Sequence, residues 1–152
     1  MNNQVVGNVG LYYVCYRLSC LGWNVMPTAR NAQGIDIVIY SQDASRTFTV
    51  QVKTLSKSPS VPLGRSLDNL FGDFFIICRN AASENPECFI FKPEEVRRLS
   101  YKGRTTFASG RNYWFQPKAY ATPDFKGKWD RIGKGVIDPA ISKQALPPKA
   151  AS

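Results

Sequence analysis

Apolar side chains recur at Leu11, Val14, Cys15, Leu18 and Leu21, the spacing of a helix that buries one face, and Gly22 ends the pattern. The stripe begins after Gly7 and Gly10, so the helix is expected beyond them. Trp23 to Met26 is short, aromatic and β-prone, and Pro27 closes it as a first strand. A polar stretch, Thr28 to Gln33, leads through Gly34 into Ile35-Asp36-Ile37-Val38-Ile39-Tyr40, a β-branched run interrupted by one carboxylate. After the turn-forming residues Ser41 to Arg46, Thr47 to Lys53 alternates strictly. Phe48, Val50 and Val52 take one face of this strand; Thr47, Thr49, Gln51 and Lys53 take the other. The two runs predict a hairpin.

Further along, Ser56 to Asp68 holds two prolines and a glycine and reads as a long loop. Phe74 to Cys78 is continuously apolar, as in a strand covered on both faces, and Cys88 to Phe91 predicts another strand. Pro93 starts a short helix that continues over Glu94 to Leu99. Tyr101 to Phe115 mixes basic and aromatic residues without a period, and Pro117 to Lys128 has turn composition. Trp129, Ile132 and Val136 are expected to pack as a last short helix or strand of chain. From Pro139 the Pro, Ala and Lys content reads as a frayed tail. The expected organisation is one domain over residues 1–138, with a core at 7–99 and a basic, aromatic-rich extension at 100–138, followed by a flexible tail at 139–152.

Length supports this, since 152 residues is the size of one domain with a real core. No apolar run approaches the roughly 18 residues of a membrane span, and Met1 to Gln4 lacks a signal-peptide pattern, so no membrane partner and a cytoplasmic location are expected. The four cysteines, at 15, 20, 78 and 88, form no Cys-x-x-Cys pair and sit in apolar surroundings, which predicts small buried hydrophobes. Histidine is absent, which removes Ser/His, Cys/His and histidine-ligated zinc chemistry. Net charge is +9, and its distribution is uneven. Residues 1–96 carry eight Lys/Arg and eight Asp/Glu, whereas 97–152 carry twelve against three. A C-terminal excess of this kind suits a polyanionic partner.

The anomalous carboxylate defines candidate chemistry. A hairpin closed symmetrically about Ser41 to Arg46 pairs positions whose numbers sum to 87, which sets Asp36 opposite Gln51. Directly opposed side chains have Cβ atoms roughly 4.5–5.5 Å apart, within reach of one shared cation. Lys53 follows on the same face about 6–7 Å further along. The Asp36 carboxylate, the Gln51 amide oxygen and the Val52 carbonyl would suit a hard divalent ion, magnesium or manganese, with Lys53 acting on the nucleophile or on developing charge. That is a site for phosphodiester hydrolysis.

The order of elements, with Gly34-Ile35-Asp36-Ile37 and Val50-Gln51-Val52-Lys53-Thr54, resembles the PD-(D/E)XK nuclease superfamily over residues 7–99, and the Gln-x-Lys form is similar to its Mrr and Holliday-junction-resolvase-like branch. The resemblance implies an α/β fold with a restriction-endonuclease-like core, a central mixed sheet of four to five strands flanked by helices. It also implies Asp36 as metal-binding aspartate, Gln51 in the (D/E) position and Lys53 as catalytic lysine. Family members often add a glutamate near the start of the first helix. Here no Asp or Glu precedes Asp36, and only Gln4 and Asn8 offer neutral oxygens. Two readings therefore stand: a Mg²⁺- or Mn²⁺-dependent DNA endonuclease or resolvase-like enzyme, and a DNA-binding or assembly module on an inactive nuclease scaffold. A protein-interaction subunit would leave the C-terminal charge unexplained.

Around the site, Arg30, Lys57 and Arg65 are expected on phosphates, as are Arg104, Arg111 and Lys118, with Tyr113 and Trp114 able to stack on bases. Burial against the sheet is the competing expectation for Tyr113, Trp114 and Trp129. Asp73 is a spare acid within the same stretch of chain, or simply a strand-end residue. Tyr12, Tyr13 and Tyr16 are expected to cover a contact in a homodimer or higher homo-oligomer.

Overall fold

The computed structural model describes residues 1–29, 34–56, 59–104 and 111–136. Helix α1 runs Asn3–Cys20 and begins earlier than the apolar stripe. The Asn2 side chain accepts the Val5 amide at 2.9 Å, so a cap sets the entry and Gly7 and Gly10 lie inside the helix. Gly10 serves packing: a Cβ there would overlap the Thr54 side chain on the sheet below.

Five strands form the central mixed sheet: β1 Asn24–Pro27, β2 Ile37–Tyr40, β3 Thr47–Leu55, β5 Phe74–Arg79 and β6 Glu87–Phe91, in the order β1-β2-β3-β5-β6. All neighbours are antiparallel except β3 and β5. Pro27 ends the edge strand, where its missing N–H costs no ladder bond. Trp23 lies before β1 and is buried against α1's face of the sheet, its indole N–H donating to Gly133 O at 3.0 Å. Phe74 to Cys78 is buried throughout, because both faces of β5 are covered.

One face carries α1, through Val14 and Leu18 on Ile37, Ile39, Val50 and Ile76. The other carries a second core of Phe75, Ile77, Phe89 and Phe91. A three-stranded sheet, order β4-β8-β7, roofs this second core: β4 is Val61–Gly64, β7 Tyr101–Lys102 and β8 Tyr113–Phe115. Two short helices, α2 Pro93–Leu99 and α3 Pro117–Tyr120, add Val96 and Tyr120 to it. The expected long loop is thereby corrected. Within Ser56–Asp68, Val61 and Leu63 are fully or nearly fully buried and β4 pairs with β8, and a 3-10 turn follows at Leu67–Asn69.

Residues 111–136 are tied to the core. Trp129 and Ile132 are buried beneath α1, and Arg131 pairs with Glu95 at 2.7 Å. Gly135 bridges Leu21 and Gln42 by backbone hydrogen bonds of 3.0 and 2.8 Å. Val136 is 41% exposed, against the expectation that it packs beside Trp129 and Ile132. Tyr113 and Trp114 are half-buried. Cys78 and Cys88 are buried opposite one another on β5 and β6, and Cys15 is half-buried, whereas Cys20, at the end of α1, is exposed and departs from the buried-thiol expectation. Among the described residues no helix is long and apolar enough to cross a membrane. The expected tail at 139–152 lies outside the described residues.

Candidate active site

The hairpin register is Ile37 to Val50, Val38 to Thr49, Ile39 to Phe48 and Tyr40 to Thr47, the expected pairing. One step beyond its open end stand Asp36 and Gln51. Asp36 is held by its backbone on both sides, its N–H donating to Val50 O and its carbonyl accepting from Thr28 N, each at 2.9 Å. Its carboxylate Oδ2 accepts the Val52 amide at 2.7 Å. Val52 lies past the last β2–β3 pair, so this carboxylate satisfies a donor that no strand reaches. In a strand the N–H and C=O of one residue point to the same neighbour, which turns the Val52 carbonyl to the Asp36 side. Among the described residues Oδ1 takes no hydrogen bond.

Gln51 and Lys53 sit on β3 beside Phe75 and Ile77 of β5, on the face away from α1. Gln51 is 8% exposed, and its Oε1 is buried without a hydrogen-bond partner among the described residues. An orphaned buried acceptor costs about 1–3 kcal/mol, so its persistence marks a place where a donor or cation is expected to bind. Lys53 is half-buried and makes no ion pair or hydrogen bond among the described residues. Its ammonium is therefore available to an anion.

β4 and the turn after it close over this face. A cavity of 260 Å³ is lined by Gln51, Lys53, Gly64 and Asn69 among others, and a second, of 340 Å³, by Gly34, Gln51, Asn69 and Phe71. Gln51 and Asn69 border both. Gly34 has φ +74°, and a Cβ there would overlap the ring of Phe71, which is itself 42% exposed at the mouth. Asn69 is a site residue the sequence reading missed. Its signal was Ser66, whose hydroxyl caps the Asp68 amide at 3.1 Å and so starts a tight turn inside the supposed loop.

The other candidates divide. Arg65 is exposed and follows Gly64, which lines the smaller cavity, in the chain. Arg104 and Lys118 line a different groove, beside β7, and Arg111 is exposed ahead of β8. Asp73 binds the Thr49 amide and hydroxyl through Oδ2, at 2.8 and 3.2 Å, the role of a strand-end residue. Arg30 and Lys57 lie outside the described residues.

The candidate donor atoms are all oxygens, Asp36 Oδ1, Gln51 Oε1 and the Val52 carbonyl, and of these residues Gln51 lines the two cavities. Such a set fits a hard divalent cation, with one negative charge where two or three are common. The first turn of α1 contributes no acid, and among the described residues no group of three or more His, Cys, Asp or Glu side chains forms a metal cluster.

No protein-family model and no curated protein matches the chain. Among solved structures it is similar to the bacterial homing endonuclease I-Ssp6803I, with a TM-score of 0.59 and 15% identity, over 87% of this chain and 93% of that one. The chain shares the fold of that protein. A further similarity is to the Holliday junction resolvase Hjc of Archaeoglobus fulgidus, with a TM-score of 0.46 and 15% identity, over 72% of this chain and 90% of that one.

Proposed function

We propose that the chain is a Mg²⁺- or Mn²⁺-dependent DNA endonuclease of the PD-(D/E)XK kind, with a Gln-x-Lys form of the site. The observation that carries this reading is the buried Gln51 Oε1, without a partner among the described residues, next in register to Asp36 and two residues from Lys53, which likewise has none among them. The nuclease fold supports it, as does the similarity to a protein described as a homing endonuclease. Asp36, Gln51 and the Val52 carbonyl would hold the cation. When bound, such an ion stabilises charge on a phosphate and lowers the pKa of a water. Lys53 offers a positive charge to the scissile phosphate. The exposed Arg65, next in the chain to a residue lining the cavity, suits a flanking phosphate, and the exposed Arg111 another.

Tyr12 and Tyr16, each 62% exposed on α1, support a homodimer contact on the helix side, away from the pocket. Four free thiols agree with a reducing, cytoplasmic setting.

The lone carboxylate favours a second reading, a DNA-binding or assembly module that has lost cleavage. The deciding experiment is a cleavage assay on supercoiled, linear, single-stranded and branched DNA in Mn²⁺, Mg²⁺ or EDTA, with Lys53→Ala beside the wild type. Nicking that disappears in EDTA and in Lys53→Ala supports the enzyme. Salt-sensitive binding without cleavage in any metal transfers the protein to the second reading.

A further inference from the structure

A groove of 640 Å³ lies beside β7, separate from the Gln51 cavities, lined among the described residues by Leu99, Tyr101, Arg104, Gln116, Lys118 and Ala119. Its volume is in the range that holds one small organic ligand. Three features narrow the ligand. Leu99 and Ala119 supply apolar surface. Tyr101 presents a ring that is 47% exposed yet tethered, because Gln116 Nε2 donates to its hydroxyl at 3.2 Å while Gln116 Oε1 accepts from Ser60 at 2.9 Å. Arg104 and Lys118 are exposed, make no ion pair among the described residues, and face no carboxylate among those lining the groove.

A flat apolar ring beside two unpaired cations matches a planar base attached to a phosphate. Duplex DNA hides the faces of its bases in the stack, so a duplex would meet only the two cations. We infer that this groove binds an unpaired nucleotide of a DNA strand, the base stacking on Tyr101 and its flanking phosphates lying against Arg104 and Lys118. The inference rests on the DNA-binding part of the proposed function and adds a preference for single-stranded or locally opened substrate.

The test uses the full chain in EDTA, with fluorescence anisotropy on a labelled twelve-nucleotide oligothymidylate and on a duplex of equal length. Expected for Tyr101→Ala is a loss of about tenfold on the single strand, the scale of one stacked base, with less than about twofold change on the duplex. Tyr101→Phe keeps the ring but loses the Gln116 tether and should bind more weakly than wild type and more tightly than Tyr101→Ala. The Arg104→Ala/Lys118→Ala double variant should flatten the single-strand salt dependence, lowering the slope of log K on log salt by about 1.4 for two phosphates. Equal losses on both DNAs, or none in Tyr101→Ala, would overturn the stacking groove. Binding of duplex but not of single strand by the wild type overturns it too while leaving the DNA reading intact. Binding of neither removes the DNA reading itself.

Discussion

The Asp36 carboxylate accepts the backbone amide of Val52 at 2.7 Å, across the open end of the hairpin. One side chain thereby supplies the acceptor that the ladder lacks there, and its second oxygen takes no hydrogen bond among the described residues. Asp36→Ala should abolish cation-dependent cleavage and also destabilise the fold by about 1–3 kcal/mol, since it strands the Val52 N–H. Asp36→Asn keeps an acceptor oxygen and should recover most of the stability without the activity. Urea denaturation alongside the cleavage assay separates the two; an Asp36→Asn enzyme of full activity would contradict the cation role.

Gln51→Glu places a second carboxylate where a neutral oxygen is buried. Without metal, burial penalises the new charge, so the variant should melt below the wild type in EDTA. A divalent cation compensates that charge and should raise its melting temperature more than it raises that of the wild type. Differential scanning fluorimetry with Mn²⁺ and EDTA reads both effects. Equal metal responses in the two proteins would mean that Gln51 Oε1 does not face a cation.

Gly10 and Thr54 occupy one space between α1 and β3. Gly10→Ala should destabilise by about 1–3 kcal/mol through overpacking, although alanine is the better helix former. Thr54→Ala removes the obstructing atoms, so the double variant should be more stable than the sum of the single changes predicts. Additive denaturation energies would place the cost elsewhere.

Glu87 on β6 carries two ion pairs, to Arg79 at 2.8 Å and to Lys126 at 2.6 Å. Hydrogen bonds from Arg79 first, and Lys126 second, hold its carboxyl below the ordinary 4.5. A depressed folded-state pKa contributes stability that is present above the unfolded value and lost as pH falls through the folded one. The wild type should therefore exceed Glu87→Gln in stability near neutrality. That difference should shrink as the pH is lowered below 4.5, as followed by urea midpoints across an acid series. A constant difference would mean the pairs do not survive in solution.

The hairpin was legible from the chain because its information is local. Alternation over Thr47–Lys53 and the length of the Ser41–Arg46 turn leave one register that buries Phe48 and Val50, and that register sets Asp36 opposite Gln51. The continuous burial of Phe74–Cys78 and the Pro-started α2 were readable for similar reasons. The start of α1 was not, since Asn2 caps a first turn whose outward residues show no stripe, and a glycine at 10 looks like a breaker until Thr54 is seen against it.

The second sheet was beyond local reading altogether. β4, β7 and β8 have four, two and three residues, too few for a period, and Val61 finds its partner at Phe115. Sequence by itself determined which residue types share a face of the hairpin and that the chain carries its positive excess beyond residue 96. Only tertiary structure decided that β4 and the Leu67–Asn69 turn cover that face. Their closure converts Gln51 from a polar residue on an open strand into a buried oxygen without a partner. It also brings Asn69 to the pocket and separates Arg104 and Lys118 from it, because burial and proximity depend on segments that meet only after the chain has folded.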